Sequence, residues 1–294
     1  MKPRYIHIGS WNIEHFGRAD DSPENQFAIA EHIELSGVHV LALQEMYATN
    51  DISDPSIPVE NSFLRAALDL VEDHTGCRWD YEIFRNRSML DTSQLCGVAW
   101  NTARVEKRGE AFRLAVPAKV NEEGITLSLW DRTPHAVKFA ARPGGDELLR
   151  LTDFIVIPLH MKSNVGQRHI VMRTRAHEAR TLVEQLPAVE AQFGSKKDVI
   201  LLGDTNCKTR GEKAIQAFID GGFEDLNEDD VPTYAIGNDA PFDRIFVPRG
   251  PDRKTFWFSR QYIMRSASPL AHDRYLSDHF LIKTSIVVRR DDDH

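Results

Sequence analysis

The chain is poor in cysteine, has no long apolar run and carries no excess of positive charge, and each lack removes a class of answers. Cys77, Cys96 and Cys207 are its only cysteines and none forms a Cys-x-x-Cys pair. That argues against a disulfide framework and against a thiolate metal site. No apolar stretch approaches the ~20 residues needed to cross a bilayer. The start, Met1-Lys2-Pro3-Arg4, leads into strand-like sequence without an apolar signal core. A cytoplasmic monomer with no stable membrane association is expected. The formal net charge of −8 provides no global field toward nucleic acid, although a local basic cleft stays compatible with it.

What is present suits a globular α/β protein: 294 residues, 41% hydrophobic and 27% charged. Residues 199–206, Val-Ile-Leu-Leu-Gly-Asp-Thr-Asn, open with apolar side chains that do not alternate, the mark of a strand buried on both faces. Asp204 and Asn206 follow two apart, so on an extended strand end they point the same way. Such polar groups are costly beside a buried strand unless they meet a metal, a substrate or polar partners. A turn in which both merely cap the next element is the ordinary alternative.

Strands are expected at 5–13, 38–45, 81–84, 95–100, 135–141, 154–160, 199–202 (ended by Gly203), 245–247, 255–258 and 280–288. Helices are expected from Ser22-Pro23 to Gly37, from a Ser62 cap to Gly76, over 167–186, and over 212–219. Residues 109–124 read as loop or short strand. There is no repeat, low-complexity block or linker. One domain over 1–288, with two stacked sheets and outer helices, is the simplest architecture. Residues 289–294 form a charged tail.

Several strand ends carry groups capable of chemistry: Asn12, Glu45, His160, and Asp204 with Asn206. Asp243 precedes one late strand, and Asp278-His279 precede another. In α/β sheets ligands gather where such ends converge. An oxygen-rich set suits Mg²⁺ or Mn²⁺ better than zinc, and such an ion is a natural partner of phosphate.

Trp11-Asn12-Ile13-Glu14, Leu43-Gln44-Glu45, Leu159-His160, Gly203-Asp204-Thr205-Asn206, Phe242-Asp243-Arg244-Ile245 and Ser277-Asp278-His279 together resemble the motifs of the endonuclease/exonuclease/phosphatase superfamily. Each is weak alone; their shared order across residues 5–288 carries the resemblance. Asp131-Arg132-Thr133-Pro134-His135-Ala136-Val137-Lys138-Phe139 resembles the strand of deoxyribonuclease-I-like members whose arginine faces substrate phosphate. A planar guanidinium suits that contact.

The resemblance implies a four-layer α/β sandwich with two stacked mixed β-sheets flanked by helices. It implies Mg²⁺ (or Mn²⁺) held by Glu45, with Asn12, Glu14 and Asp278 beside it. His279 would face the phosphate, oriented by Asp243, and Asp204 would activate or position water. Whether Asp204 or the His279–Asp243 pair takes the water proton stays open. Asn206 would hold a non-bridging oxygen, and His160 would be the second histidine of the nuclease-like branch. Relatives support that histidine with a glutamate; here the region reads Asp91-Thr92-Ser93-Gln94-Leu95, leaving Asp91 or Gln94. Arg132, Lys162 and Asn164 are candidate phosphate contacts.

The implied activity is divalent-metal-dependent phosphodiester hydrolysis by in-line attack of an activated water, with DNA as the expected partner. The alternative is a phosphatase or phosphodiesterase for a small or lipid-linked phosphate, of the inositol phosphate or sphingomyelin type. A fold-retaining scaffold would have lost part of this set, which is complete. His169, Arg173, His177 and Arg180 share one face of the 167–186 helix, either a solvated basic face or a track for a nucleic-acid backbone. Trp11 is expected in the core; Trp130, Trp257 and Phe258 are candidate groove aromatics.

Overall fold

The computed structural model describes the chain except residues 1–3, 19–22, 91–92, 143–151, 195–197, 238, 251–253, 257 and 289–294. Ser22, Asp91, Trp257 and the charged tail therefore lie outside the described residues. In chain order the elements are β1 (Arg4–Phe16), α1 (Pro23–Ser36), β2 (Val40–Met46), α2 (Ser62–Thr75), β3 (Trp79–Ile83), β4 (Leu95–Asn101) and β5 (Val105–Arg113). Then come β6 (Lys119–Glu122), β7 (Ile125–Ser128), β8 (His135–Ala141), β9 (Asp153–His160), α3 (Arg168–Phe193) and β10 (Val199–Asp204). The last third holds α4 (Lys213–Asp220), β11 (Phe223–Asp225), β12 (Asp243–Pro248), β13 (Tyr262–Met264), α5 (Pro269–Tyr275) and β14 (Leu281–Val288).

Two six-stranded mixed sheets result, with orders β13-β14-β1-β2-β4-β3 and β11-β12-β10-β9-β8-β5. Each is built on a central parallel pair, β1 with β2 and β9 with β10, flanked by antiparallel strands. The sheets stack face to face with helices outside, which is the expected four-layer sandwich. No helix among the described residues is long and apolar enough to cross a membrane.

The alternation of strand side chains sorts the core. Phe154 and Val156 of β9, Ile200 and Leu202 of β10, Val40 and Ala42 of β2, and Ile6 and Ile8 of β1 meet between the sheets. Their neighbours point outward. Leu41 and Leu43 meet Ile29 and Ile33 of α1 and Leu64 and Leu68 of α2, while Ile155, Ile157, Val199 and Leu201 meet α3 and α4. A strand covered on both faces has no polar side, which explains the unbroken apolar runs. Each such side chain taken from water contributes about 1.5–3 kcal/mol.

Local departures have physical causes. Asn61, not Ser62, caps α2: its side chain accepts from Leu64 N at 2.7 Å and its amide also ties Phe16 O and Tyr47 O. Helix α3 continues past the expected end through Pro187 to Phe193, with Val189 buried beneath it. Residues 254–256 form a 3-10 turn rather than the expected strand, and β13 takes the sheet edge instead. Helix α5, unforeseen, starts on a Ser268 cap with Pro269 in its first turn.

Candidate active site

The same alternation aims the functional groups. Asn12, His160, Asp204 and Asp243 stand in phase with residues that face the inter-sheet core on their own strands. At the strand ends, where the apolar filling stops, they emerge at the mouth of the crevice between the sheets. Asp204 lies in register with both His160 and Asp243. Gly203 makes this approach feasible: with φ +147°, a Cβ there would sit 2.0 Å from Leu159 O of the adjacent strand.

Glu45 is out of phase, since Leu41 and Leu43 face the helices. Its φ of 59° and a register break between Leu43 and Met46 turn it inward. The carboxylate Oε1 then accepts from Asn12 Nδ2 at 3.1 Å. A second break, between Asn12 and Phe16, contains Glu14 (φ 46°) and His15 (φ 55°). Asn206 (φ 55°) completes the set. Left-handed backbone at side-chain-bearing residues costs about 1–3 kcal/mol each and persists where surrounding structure enforces it.

The most buried part joins Asp243 and Asp204 of the second sheet to His279, on the segment that leads into β14 of the first. His279 Nδ1 is 2.8 Å from Asp243 Oδ2, which also accepts from Thr233 Oγ1 at 2.7 Å. Asp204 Oδ1 accepts from Asn206 N at 2.7 Å, and its Oδ2 from Asn206 Nδ2 at 3.0 Å and Asn12 Nδ2 at 3.2 Å. Burial pushes the Asp204 carboxyl up to about 7, with His279 opposing and Asp243 and Glu45 adding. For His279, burial pulls downward, but the Asp243 carboxylate, with Asp204 and Asp278, outweighs it and holds the proton up to about 10. At neutral pH His279 is an imidazolium.

His160 behaves oppositely. Burial and Arg132 drive its imidazole well below the ordinary range, so it is neutral. Arg132 lies against it, Nε 3.2 Å from Nδ1 and Nη2 2.9 Å from Nε2. Gln94 does not reach His160. Its Oε1 accepts from Arg132 Nη2 and its Nε2 donates to Glu45 Oε2, both at 2.8 Å.

The acidic side of the mouth is more open. Glu14 Oε2 accepts from Asp278 N at 3.0 Å. Burial and Asp278 push Glu14 up to about 7, and burial raises Asp278, with Glu45 adding to both. Such mutual repulsion among oxygen donors fits a hard divalent cation. A tighter set is Asp204, Asp243 and His279, whose ligand atoms all lie within 4.8 Å of one another, and buried Asp243 Oδ1 has no partner. This set could take a cation only once His279 gives up a proton, since the imidazolium has no lone pair to offer and its Nδ1 is committed to Asp243.

Lys162 and Asn164 sit at the border. Lys162 Nζ reaches Asp131 Oδ2 at 3.4 Å, and Asn164 Nδ2 donates to Asn206 O at 3.0 Å. Arg244, inside a quoted motif, is out of phase and wholly buried against Asp225, with Asp230 also on its guanidinium. Trp130 is no groove aromatic: it is buried and its Nε1 donates to Thr181 Oγ1. Trp11 is core, donating to His279 O at 3.0 Å. Sequence reasoning missed His15, whose Nδ1 is 3.2 Å from Glu45 Oε2, as well as Thr233 and Tyr234, whose ring meets His279 edge-on at 5.0 Å. Adjacency to Glu14 was the one available signal for His15.

No protein-family model matches the sequence, and no curated protein matches it. Solved structures do. An endonuclease/exonuclease/phosphatase protein from Bacteroides vulgatus superposes with a TM-score of 0.63 at 14% identity, covering 98% of this chain and 100% of that one. The chain has the endonuclease/exonuclease/phosphatase fold. The catalytic domain of human Nocturnin, solved with a bound sulfate anion, gives 0.61 at 14% identity, covering 99% and 98%. A Bacteroides thetaiotaomicron mannosyl-6-phosphatase gives 0.59 at 16%, covering 96% and 99%. The strand ends that bear the polar set are thus those of a fold shared along the whole chain.

Proposed function

We propose that the chain is a divalent-metal-dependent phosphodiester hydrolase, a nuclease acting on DNA. The observation that carries this reading is the juxtaposition of Asp204, buried with a carboxyl pushed up to about 7, and His279, kept cationic by Asp243, within one 4.8 Å cluster. A carboxylate of that basicity suits removal of a proton from water near neutral pH. Because His279 already holds its proton, the base is Asp204. The imidazolium, with Asn206 and Arg132, stabilises charge that grows on the phosphoryl oxygens. Water oxygen bonds to phosphorus, its proton passing to Asp204, as the opposite phosphorus–oxygen bond breaks and the leaving oxygen takes a proton from solvent. His160, neutral and clasped by Arg132, orients rather than protonates.

Glu45, Glu14, Asp278 and Asn12 would hold Mg²⁺ or Mn²⁺, which when bound offsets their repulsion and polarises the phosphate. The sulfate in the Nocturnin structure supports tetrahedral oxyanion binding on this fold. A second reading, a phosphatase or phosphodiesterase for a small or lipid-linked phosphate, draws on the −8 charge and on the α3 face. There Arg173 pairs with Glu122 and Glu123, and His177 Nε2 lies 3.1 Å from Glu122 Oε2, so that face is engaged within the chain. The phosphatase among the fold's members is in keeping with it.

The test is supercoiled plasmid with Mg²⁺ or Mn²⁺ against EDTA, beside bis(4-nitrophenyl) phosphate and a sugar phosphate. Metal-dependent nicking is expected. Hydrolysis of the small esters with intact plasmid would transfer the assignment to the second reading.

A further inference from the structure

A cavity of about 150 Å³ opens beside the site, lined by Asn164, Arg168, Arg175, Lys208 and Glu212 among others. It is built, not merely basic. Arg175 is 2% exposed; its Nη1 donates to Asn164 Oδ1 at 3.1 Å and to Lys162 O at 3.3 Å, and its Nη2 donates to Glu212 Oε2 at 3.0 Å. Its Nε is buried without any partner. Glu212 is spent: Oε2 on Arg175 and Oε1 on Lys208 N at 2.6 Å. The exposed side chains of Arg168 and Lys208 make no hydrogen bond or ion pair among the described residues, so the lining carries an uncompensated positive charge. The 26-residue helix α3 begins at the same wall, and its cap position, Gln167, supplies no side-chain hydrogen bond.

One residue joins this cavity to the chemistry. Asn164 lines it and donates to Asn206 O at 3.0 Å. An anion held here lies one side chain away from the group proposed to hold the reacting phosphate. We infer that the cavity is a second anion subsite, taking a further phosphate of the same substrate on the Asn206 side of the scissile one. The inference rests on the hydrolase reading above and deepens it. The enzyme prefers substrates with two linked phosphates, either the next phosphodiester along a strand or the second phosphate of a small bisphosphate. A planar guanidinium and a flexible ammonium at the mouth, above a buried arginine, match a tetrahedral oxyanion.

The test uses the full chain carrying Arg168→Ala and Lys208→Ala together, both at exposed positions. Substrates are a trinucleotide, a small bisphosphate and bis(4-nitrophenyl) phosphate, which has no second phosphate. For the first two, KM is expected to rise about tenfold or more, as for lost charge-assisted hydrogen bonds, with kcat held. The constants for bis(4-nitrophenyl) phosphate should stay put. Whichever of the first two responds identifies the source of the second phosphate. An equal change on all three substrates, or none, would overturn the subsite. Calorimetry with inorganic phosphate provides a readout free of turnover: the double variant should bind more weakly, and equal binding would likewise overturn it. Absence of hydrolysis by the unaltered chain, with the binding difference intact, would sink the hydrolase reading and leave the subsite standing.

Discussion

The two sheets contribute to one site in different ways. The first sheet presents carboxylates on irregular backbone and partly in solvent: Glu45 and Asp278 keep 17% and 23% side-chain exposure, and Glu14 and Glu45 have positive φ. The second presents its groups on regular strand ends away from water, with 1% exposure for His160, 3% for Asp204 and 1% for Asp243. Open carboxylates can exchange a hydrated cation, whereas desolvated ones have shifted proton affinities. On the proposed reading the cation meets the carboxylates of the first sheet and the base Asp204 belongs to the second, while His279, from the segment leading into β14 of the first sheet, reaches across to Asp243 of the second.

That division can be broken experimentally. The largest expected effect is Asp204→Asn, which removes the proposed base and should lower kcat about 10²–10⁴-fold without loss of the folded circular dichroism spectrum. Raising Mg²⁺ should not restore it; restoration would move Asp204 to the metal side. Next, Glu45→Gln should weaken Mg²⁺ about 10–100-fold by calorimetry, the scale seen when groups supporting a metal are removed. Here excess Mg²⁺ should recover part of kcat. Undiminished Mg²⁺ affinity would remove Glu45 from the metal set.

The smallest effect concerns the proton side, where His279, leading into the first sheet, meets Asp243 of the second. With Asp204 titrating near 7 and His279 near 10, kcat/KM should rise with pH as Asp204 loses its proton and fall at alkaline pH as His279 loses its own. Asp243→Asn deletes the carboxylate that raises His279 against burial, so the alkaline limb should move to lower pH with about tenfold less turnover at neutrality. An alkaline limb left in place would mean that His279 is not the group being read.

Much of this was legible before folding. Unbroken apolar runs announced strands covered on both faces, and polar residues at their ends marked a candidate site. The helix boundaries set by Gly37 and Gly76 followed from local backbone preference. Helix α5 is equally legible in Ser268-Pro269, a cap followed by a first-turn proline. The fate of Pro187 was not legible, because burial of Val189 against the sheet decides whether a helix survives an internal proline. Trp130 likewise looks like a surface aromatic until Thr181, on another element, takes its N–H.

Strand periodicity, a property of the sequence alone, determined that Asn12, His160, Asp204 and Asp243 face the crevice between the sheets. It places Glu45 on the wrong side. Only the tertiary structure, by forcing Glu45 to positive φ at a register break, brings that carboxylate to Asn12. The pairing of Arg132 with His160, the placement of Gln94 between Arg132 and Glu45, and the support of Asp243 by Thr233 were decided there too. The reason is physical: alternation is a local rule of backbone geometry, whereas proton affinity and hydrogen-bond choice depend on which distant groups arrive and how much water they exclude.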